Sequence, residues 1–130
     1  MTVIFYDMED DENPLNATVI HSSDELRKIL LGLRVREPFA CELEDENGAC
    51  LVLGIGRLGT AQYNREEGGP YFLAVTTRKV IADSEMEFLA GGTPTPFEAR
   101  FCLPFGDIIK IAVHFMDTGE ASPSYSWEMI

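Results

Sequence analysis

The sequence predicts an α+β fold, with a mainly antiparallel sheet of about five or more strands and two helices packed on one face. Two observations predict this fold. Short segments of alternating apolar and polar residues recur along the chain, separated by turn-forming residues. Two longer segments instead repeat apolar residues at helical spacing. The chain has 130 residues and no internal repeat or long linker, so we expect a single domain over residues 1–130.

The first elements are a short strand and a helix. "VIFY" at 3–6 is a strand candidate, followed by an acidic loop that ends at Pro14. "HSSDELRKILLGLR" predicts a helix, because Ser22 and Glu25 form a capping box and Asp24 favours the positive end of the helix dipole. The apolar residues of this segment form one stripe, at Leu26, Ile29, Leu30 and Leu33. We therefore expect this helix to pack on a flat surface.

The segment "FACELEDENGACLVLGI" predicts a hairpin, with a three-residue loop at Glu46-Asn47-Gly48 and Gly48 in the left-handed conformation. That loop pairs Leu43 with Leu51. It places Cys41, Leu43, Leu51, Leu53 and Ile55 on one face, and Glu42, Glu44, Cys50 and Val52 on the other. A two-residue turn would instead put the two glutamates beside Leu51 and Leu53. Since a one-residue slip moves every side chain to the opposite face, the three-residue loop is preferred.

The second half of the chain predicts further strands and a second helix. We expect strands at "TAQYN", "PYFLAVTT", "EMEFLA" and "PFEARFCL", with a turn at "REEGG" and a turn or loop at "GGTPTP". "FGDIIKIAVHFMDTG" predicts a mostly buried helix that ends at Gly119. "SPSYSWEMI" predicts a short terminal strand that carries Trp127.

The stretch Gly54-Ile55-Gly56-Arg57-Leu58-Gly59 spells G-x-G-x-x-G, the fingerprint of dinucleotide binding. A working fingerprint opens a helix inside a βαβ unit, and such a crossover takes a dozen or more residues. Only ten residues separate Gly59 from Pro70. The glycines are therefore expected to allow a bulge or bend between antiparallel strands, or the close approach of a neighbouring element.

Charge and cysteine content restrict the classes of function. The net charge is −12, with 22 acidic and 10 basic residues, which argues against a direct nucleic-acid binder. The acidity favours a basic protein partner, or it serves only to keep the protein soluble. Three cysteines without a C-x-x-C motif predict reduced thiols. The N-terminus resembles no signal peptide and no segment is long enough to span a membrane, so a cytoplasmic protein is expected.

No catalytic or metal-binding motif is present. His21 and His114 lack a neighbouring nucleophile signature, and "DMEDDE" lacks the glycine and final glutamate of a calcium loop. We expect the acidic pairs to be ordinary solvated residues, namely Glu42/Glu44, Glu66/Glu67 and Glu85/Glu87. The sequence therefore predicts no enzyme, no cofactor and no metal. It favours a binding protein, with Tyr63, Tyr71 and Trp127 as candidate anchors, although a core position for Trp127 is the simpler alternative.

Four segments resemble immunity protein family one, the inhibitors encoded beside deaminase-type toxins in bacterial polymorphic toxin systems. They are "SSDELRKILLGL", "LVLGIGRLGTAQY", the aromatic pair Tyr71-Phe72, and "PFGDIIKIAVHFMDTGEASPSYSWEMI". The last segment carries the closing pattern of the family, at Phe115, Thr118, Gly119, Pro123, Trp127 and Glu128. It departs from the family at Ala121-Ser122, where a basic residue before the proline is more usual.

The resemblance implies a cytoplasmic antitoxin that binds its cognate toxin, a nucleic-acid deaminase with a basic cleft, and blocks the active site. The residues expected at the interface are those that the hairpin register leaves facing water, together with their neighbours: Glu42, Glu44, Tyr63, Glu66, Glu67 and Tyr71. Two alternatives remain open at this point, a small ligand-binding or enzymatic α+β domain and a generic acidic adaptor.

Overall fold

The computed structural model describes residues 2–8, 12–33, 39–55, 58–66, 68–75, 85–90 and 93–130. Its helices are α1 (Ser23–Leu33) and α2 (Phe105–Thr118). Its strands are β1 (Val3–Asp7), β2 (Thr18–Ile20), β3 (Phe39–Asp45), β4 (Cys50–Ile55), β5 (Leu58–Asn64), β6 (Phe72–Val75), β7 (Glu85–Ala90), β8 (Thr93–Glu98), β9 (Leu103–Pro104) and β10 (Ser126–Met129).

Eight of these strands form one antiparallel sheet in the order β10-β6-β5-β4-β3-β1-β2, with β9 paired to β5. Strands β7 and β8 form a separate antiparallel hairpin that lies beside β3 and β4. The predicted α+β class, with its mainly antiparallel sheet, is confirmed. The central strands β3, β4 and β5 follow one another directly along the chain, so they form a meander.

Both helices pack on the same face of the sheet. Their apolar stripes are fully buried, at Leu26 and Leu30 on α1 and at Ile108, Ile111 and Phe115 on α2. These side chains join one core cluster with residues of the four central strands, Phe5, Leu43, Leu51, Leu53 and Ala61. The opposite face of the sheet carries neither helix. Its row of Ala40, Gly54 and Thr60 is buried, and we call the rest of this face the open face.

The predicted helix boundaries follow local capping chemistry. The Ser22 hydroxyl accepts a hydrogen bond from the Glu25 backbone N–H at 3.2 Å, as the capping box requires. Helix α2 ends where Gly119 takes a left-handed conformation with φ 72° and its N–H donates to the Phe115 carbonyl. A glycine is suited to this position because it has no Cβ to resist a positive φ.

The predicted hairpin register is confirmed. Leu43 pairs with Leu51, and Gly48 has φ 89°. The Asp45 carboxylate accepts hydrogen bonds from the backbone N–H groups of Asn47 (2.9 Å) and Ala49 (2.8 Å). The five apolar residues predicted on one face are all fully buried, at Cys41, Leu43, Leu51, Leu53 and Ile55.

The structure differs from the predicted elements at three places. Strand β2 is absent from the prediction, and among the described strands it pairs with β1 alone. The predicted loop "GGTPTP" contributes residues to strand β8, which begins at Thr93. Pro94 and Pro96 are compatible with this strand, because β7 is its one partner among the described residues and an edge strand tolerates proline. The predicted strand "PFEARFCL" is interrupted by a 3-10 helix at Ala99–Phe101.

The described residues of the glycine motif lie on two antiparallel strands, with Gly54 and Ile55 on β4 and Leu58 and Gly59 on β5. Gly54 pairs with Thr60 across β4 and β5. A Cβ added to Gly59 would lie 2.6 Å from Ile108 Cγ1 and 2.7 Å from the Gly54 carbonyl oxygen. Gly59 therefore allows α2 to approach the sheet closely. This agrees with one of the roles expected for these glycines, the close approach of a neighbouring element. The nucleotide-binding interpretation is excluded for this stretch, because strand β5 takes the place of the crossover helix.

We expect Gly59→Ala to lower the free energy of unfolding by about 1–3 kcal/mol, because the new methyl group overpacks the contact with α2. Gly32→Ala is the matched control, because Gly32 lies on α1 and a Cβ added there would meet nothing within 4 Å. That change should raise stability by about 0.5–1 kcal/mol through helix propensity. Chemical denaturation measures both values, and equal stability of the two variants would contradict the close-approach role.

Candidate functional site

The open face presents two rows of side chains that cross the central strands. The strand register places Glu44, Cys50 and Asn64 opposite one another in the first row. The second row consists of Glu42, Val52 and Gln62. Strand β4 therefore supplies a mainly apolar centre, with carboxylates from β3 on one side and amides from β5 on the other.

These rows line a groove with a volume of about 590 Å³. The described residues that border it are Met8, Glu42, Glu44, Asn47, Gly48, Cys50, Val52, Gln62, Asn64, Glu66 and Tyr71. They come from the centre of the sheet, from the β3–β4 turn and from the connection between β5 and β6. No lysine, arginine or histidine is among the described residues that line the groove.

The structure brings together four of the six residues predicted at an interface. Glu42, Glu44, Glu66 and Tyr71 all border the groove. Glu66 and Tyr71 are exposed, whereas Glu42 and Glu44 are half-buried, which is less open to water than the sequence suggested. Glu67 lies outside the described residues, as do the side chains of Glu85 and Glu87.

The expectation that Tyr63 faces water is wrong. Its side chain points toward the helices and is only 6% exposed. The ring packs edge-on against Phe115 and Trp127, and the hydroxyl donates to the Gly119 carbonyl at 3.1 Å. Trp127 is half-buried against the core, and its indole N–H donates to the Ser122 carbonyl at 2.8 Å. Both aromatic side chains therefore stabilise the fold. For Trp127 this agrees with the alternative of a core position.

Among the described residues, no cation forms an ion pair with a carboxylate of the groove. The described ion pairs join Arg27 to Asp24, Arg65 to Glu120 and Arg100 to Glu128. The side chains of Glu44 and Glu66 form no hydrogen bond or ion pair within the part of the chain that the structure describes. Arg65, which precedes Glu66, is held by Glu120 at 3.0 Å. Within the described ranges the groove therefore carries an excess of negative charge, with Arg65 as a partial counter-charge to Glu66.

The chemical state of Cys50 reflects this environment. Partial burial and the neighbouring carboxylates of Glu42, Glu44 and Asp45 raise the pKa of the Cys50 thiol to about 12. The thiol therefore stays protonated at neutral pH. Cys41 and Cys102 are buried, and no disulfide joins any two of the three cysteines, all of which lie within the described residues. Since the thiolate is the reactive form, the groove has no activated nucleophile in Cys50.

Asn64 is a groove residue that the sequence interpretation missed. It is only 5% exposed, and its side-chain N–H donates to the Glu66 carbonyl at 3.2 Å. Its Oδ1 has no hydrogen-bond partner among the described residues. The alternation in "TAQYN" contains a signal for this placement, because Ala61 and Tyr63 alternate with Gln62 and Asn64.

The described residues do not assemble a catalytic or metal centre. His21 lies exposed between β2 and α1, and His114 lies half-buried on α2. Both positions are away from the groove lining. No cluster of three or more metal-ligating side chains occurs within the described ranges. No helix in those ranges is long and apolar enough to cross a membrane.

Comparisons with protein-family models and with curated proteins find no match to this chain.

We expect Glu42→Gln to increase the rate of Cys50 alkylation by iodoacetamide at pH 8 by up to about tenfold. The change removes the main charged group that disfavours the thiolate, and one pKa unit corresponds to a tenfold change in thiolate fraction. Mass spectrometry would locate and time the modification. Asp117→Asn removes one charge from the exposed surface of α2 and should leave the rate unchanged. Equal rates in all three proteins would contradict the proposed influence of Glu42.

Proposed function

We propose that this chain is an immunity protein that binds a cognate bacterial toxin in the cytoplasm and blocks its active site. A nucleic-acid deaminase is the toxin class that the sequence resemblance implies. In this proposal the chain catalyses no reaction, and the groove on the open face is its contact surface. The observation that carries the proposal is the convergence of Glu42, Glu44, Glu66 and Tyr71 on one groove, with no lysine, arginine or histidine among the described residues that line it.

Electrostatics supports a basic partner. An enzyme that acts on nucleic acid holds phosphates with lysine and arginine side chains, which create a positive surface around its active site. A chain with a net charge of −12 is steered toward such a surface. Complementary charge speeds association and selects the partner. The carboxylates of the groove can thus occupy the region that the substrate phosphates would take.

The closing pattern that resembles the immunity family includes residues that stabilise the fold and do not form the proposed contact surface. Gly119 caps α2, and the Thr118 hydroxyl donates to the His114 carbonyl within that helix. Trp127 packs against Tyr63 at the edge of the core. These residues of the closing pattern act in folding. Differences in partner specificity are therefore expected to come from the open face of the sheet.

The volume of the groove favours one alternative function. A cavity of about 590 Å³ lies within the range of small-ligand sites, which is about 300–1,000 Å³. A small cationic molecule would satisfy the same carboxylates. Mass spectrometry of the purified protein under native conditions distinguishes this alternative. A retained small ligand would raise the measured mass above the mass of the chain alone.

The direct test of the proposed function is co-expression with the protein encoded by the adjacent reading frame. We expect the chain to protect cells from that protein and to form a 1:1 complex that weakens as salt rises. Size-exclusion chromatography with light scattering measures the stoichiometry. If both proteins fold and the cells still die, the proposal is wrong. Binding to many unrelated basic proteins with equal affinity would instead indicate a generic acidic adaptor.

We expect the double change Glu44→Gln with Glu66→Gln to slow association with that toxin by about tenfold at low salt, since it neutralises charge at the contact surface. The matched control is Asp24→Asn with Asp117→Asn, which removes the same charge from exposed positions on the two helices. Surface plasmon resonance would give both rates. An equal slowing by the two double variants would assign the effect to net charge and exclude the groove as the contact.

A further inference from the structure

We infer that the groove recognises the guanidinium group of an arginine side chain supplied by the partner protein. This inference rests on the proposed function and adds the chemistry of its contact. Three features of the groove carry it: an apolar floor, walls that present carboxylate and amide oxygens, and a buried acceptor atom that has no donor among the described residues.

The floor and walls match the two parts of an arginine side chain. Cys50 and Val52 lie between the glutamates of β3 and the amides of β5. Strands β3 and β5 are two strand spacings apart, or about 9.5 Å. An aliphatic stem can therefore lie on the floor while a cationic head lies between the walls, as long charged side chains commonly do on apolar surfaces.

Asn64 provides an observation that is independent of the acidic charge. Asn64 is only 5% exposed, and its Oδ1 lacks a hydrogen-bond donor among the described residues. A buried acceptor without a donor is unfavourable, so this atom favours a ligand that carries N–H groups. The register places Asn64 in the same row as Glu44, across Cys50.

The two rows differ in what faces each glutamate across the floor. Glu44 faces the buried Asn64 across Cys50, whose thiol donates to the Gly48 carbonyl at 3.8 Å, whereas Glu42 faces Gln62 across Val52. A ligand between Glu44 and Asn64 must donate in two directions at once. Guanidinium has five N–H donors in a planar fork, while an ammonium group is a more strongly hydrated point charge. Arginine therefore fits this row better than lysine does.

The experiment uses three blocked hexapeptides of alternating glycine and one variable residue, which is arginine, lysine or citrulline. Each is titrated into the full chain and followed by ¹⁵N-¹H correlation spectra. We expect the arginine peptide to shift the Asn64 side-chain amide and the backbone amides of β3 to β5. It should bind about threefold more tightly than the lysine peptide, because of its forked geometry. The uncharged citrulline peptide should bind about tenfold more weakly than the arginine peptide.

Variants separate specific recognition from general attraction to an acidic protein. Glu44→Gln and Asn64→Leu should each weaken the arginine peptide by about tenfold, since each removes a hydrogen bond to a charged group. Asp117→Asn should weaken it by about twofold or less. Spectral dispersion shows whether Asn64→Leu folds. If it does not fold, Glu44→Gln alone tests the inference, because Glu44 is less buried than Asn64 and borders the groove. Shifts spread over the helices, equal affinity for the lysine peptide, or equal losses in Glu44→Gln and Asp117→Asn would overturn the inference.

The peptide titration needs no toxin, so its failure is distinguishable from failure of the proposed function. Binding of the arginine peptide in the groove, without protection of cells by the chain, would support the recognition chemistry and remove the immunity role. A stable toxin complex whose affinity is unchanged in Glu44→Gln and Asn64→Leu would support the immunity role and overturn the arginine site.

Discussion

The rest of the structure depends on the register of the β3–β4 hairpin, and the turn between these strands sets that register. The Asp45 carboxylate holds two backbone N–H groups of this turn, and Gly48 takes the positive φ that closes it. Together they set the register of the central hairpin. A slip of one residue would bring Glu42 and Glu44 to the helix side and expose the leucines. The buried core and the acidic groove therefore lie on opposite faces of the same hairpin, and one register determines both.

The same carboxylate also connects the helix layer to the sheet. Asp45 is buried, and its Oδ2 lies so close to Gly119 that any side chain there would collide with it. The Gly119 carbonyl in turn accepts a hydrogen bond from Tyr63. The end of α2 is thus held by the central hairpin and by β5. Local turn chemistry near residue 45 in this way positions a helix that begins 60 residues later in the chain, at Phe105.

Much of this fold is predictable because its signals are local. The caps of α1 and α2, the loop at Gly48 and the alternation of β3 and β4 each depend on a few neighbouring residues. Strand β2 and the proline-containing β8 depend on which partner each finds, so their sequences alone do not specify them. Tyr63 is instructive because its alternation with Gln62 and Asn64 indicates an inward position. Its aromatic character alone suggested an anchor at the surface. Alternation was the stronger signal, and it also identifies Asn64 as a groove residue.

Solubility does not explain the composition of the open face. Exposed acids on the helices, such as Asp24 and Asp117, already supply negative charge at no packing cost. Glu42 and Glu44 are instead half-buried, two residues apart on one strand, and share their surface with a protonated thiol and a buried amide oxygen. Neighbouring like charges that lose water repel each other and destabilise the fold. A surface selected only for solubility would place its charges farther apart and in full contact with water. The arrangement is better explained by a ligand that brings both positive charge and N–H donors, because such a ligand offsets the repulsion and pairs the buried acceptor in one step.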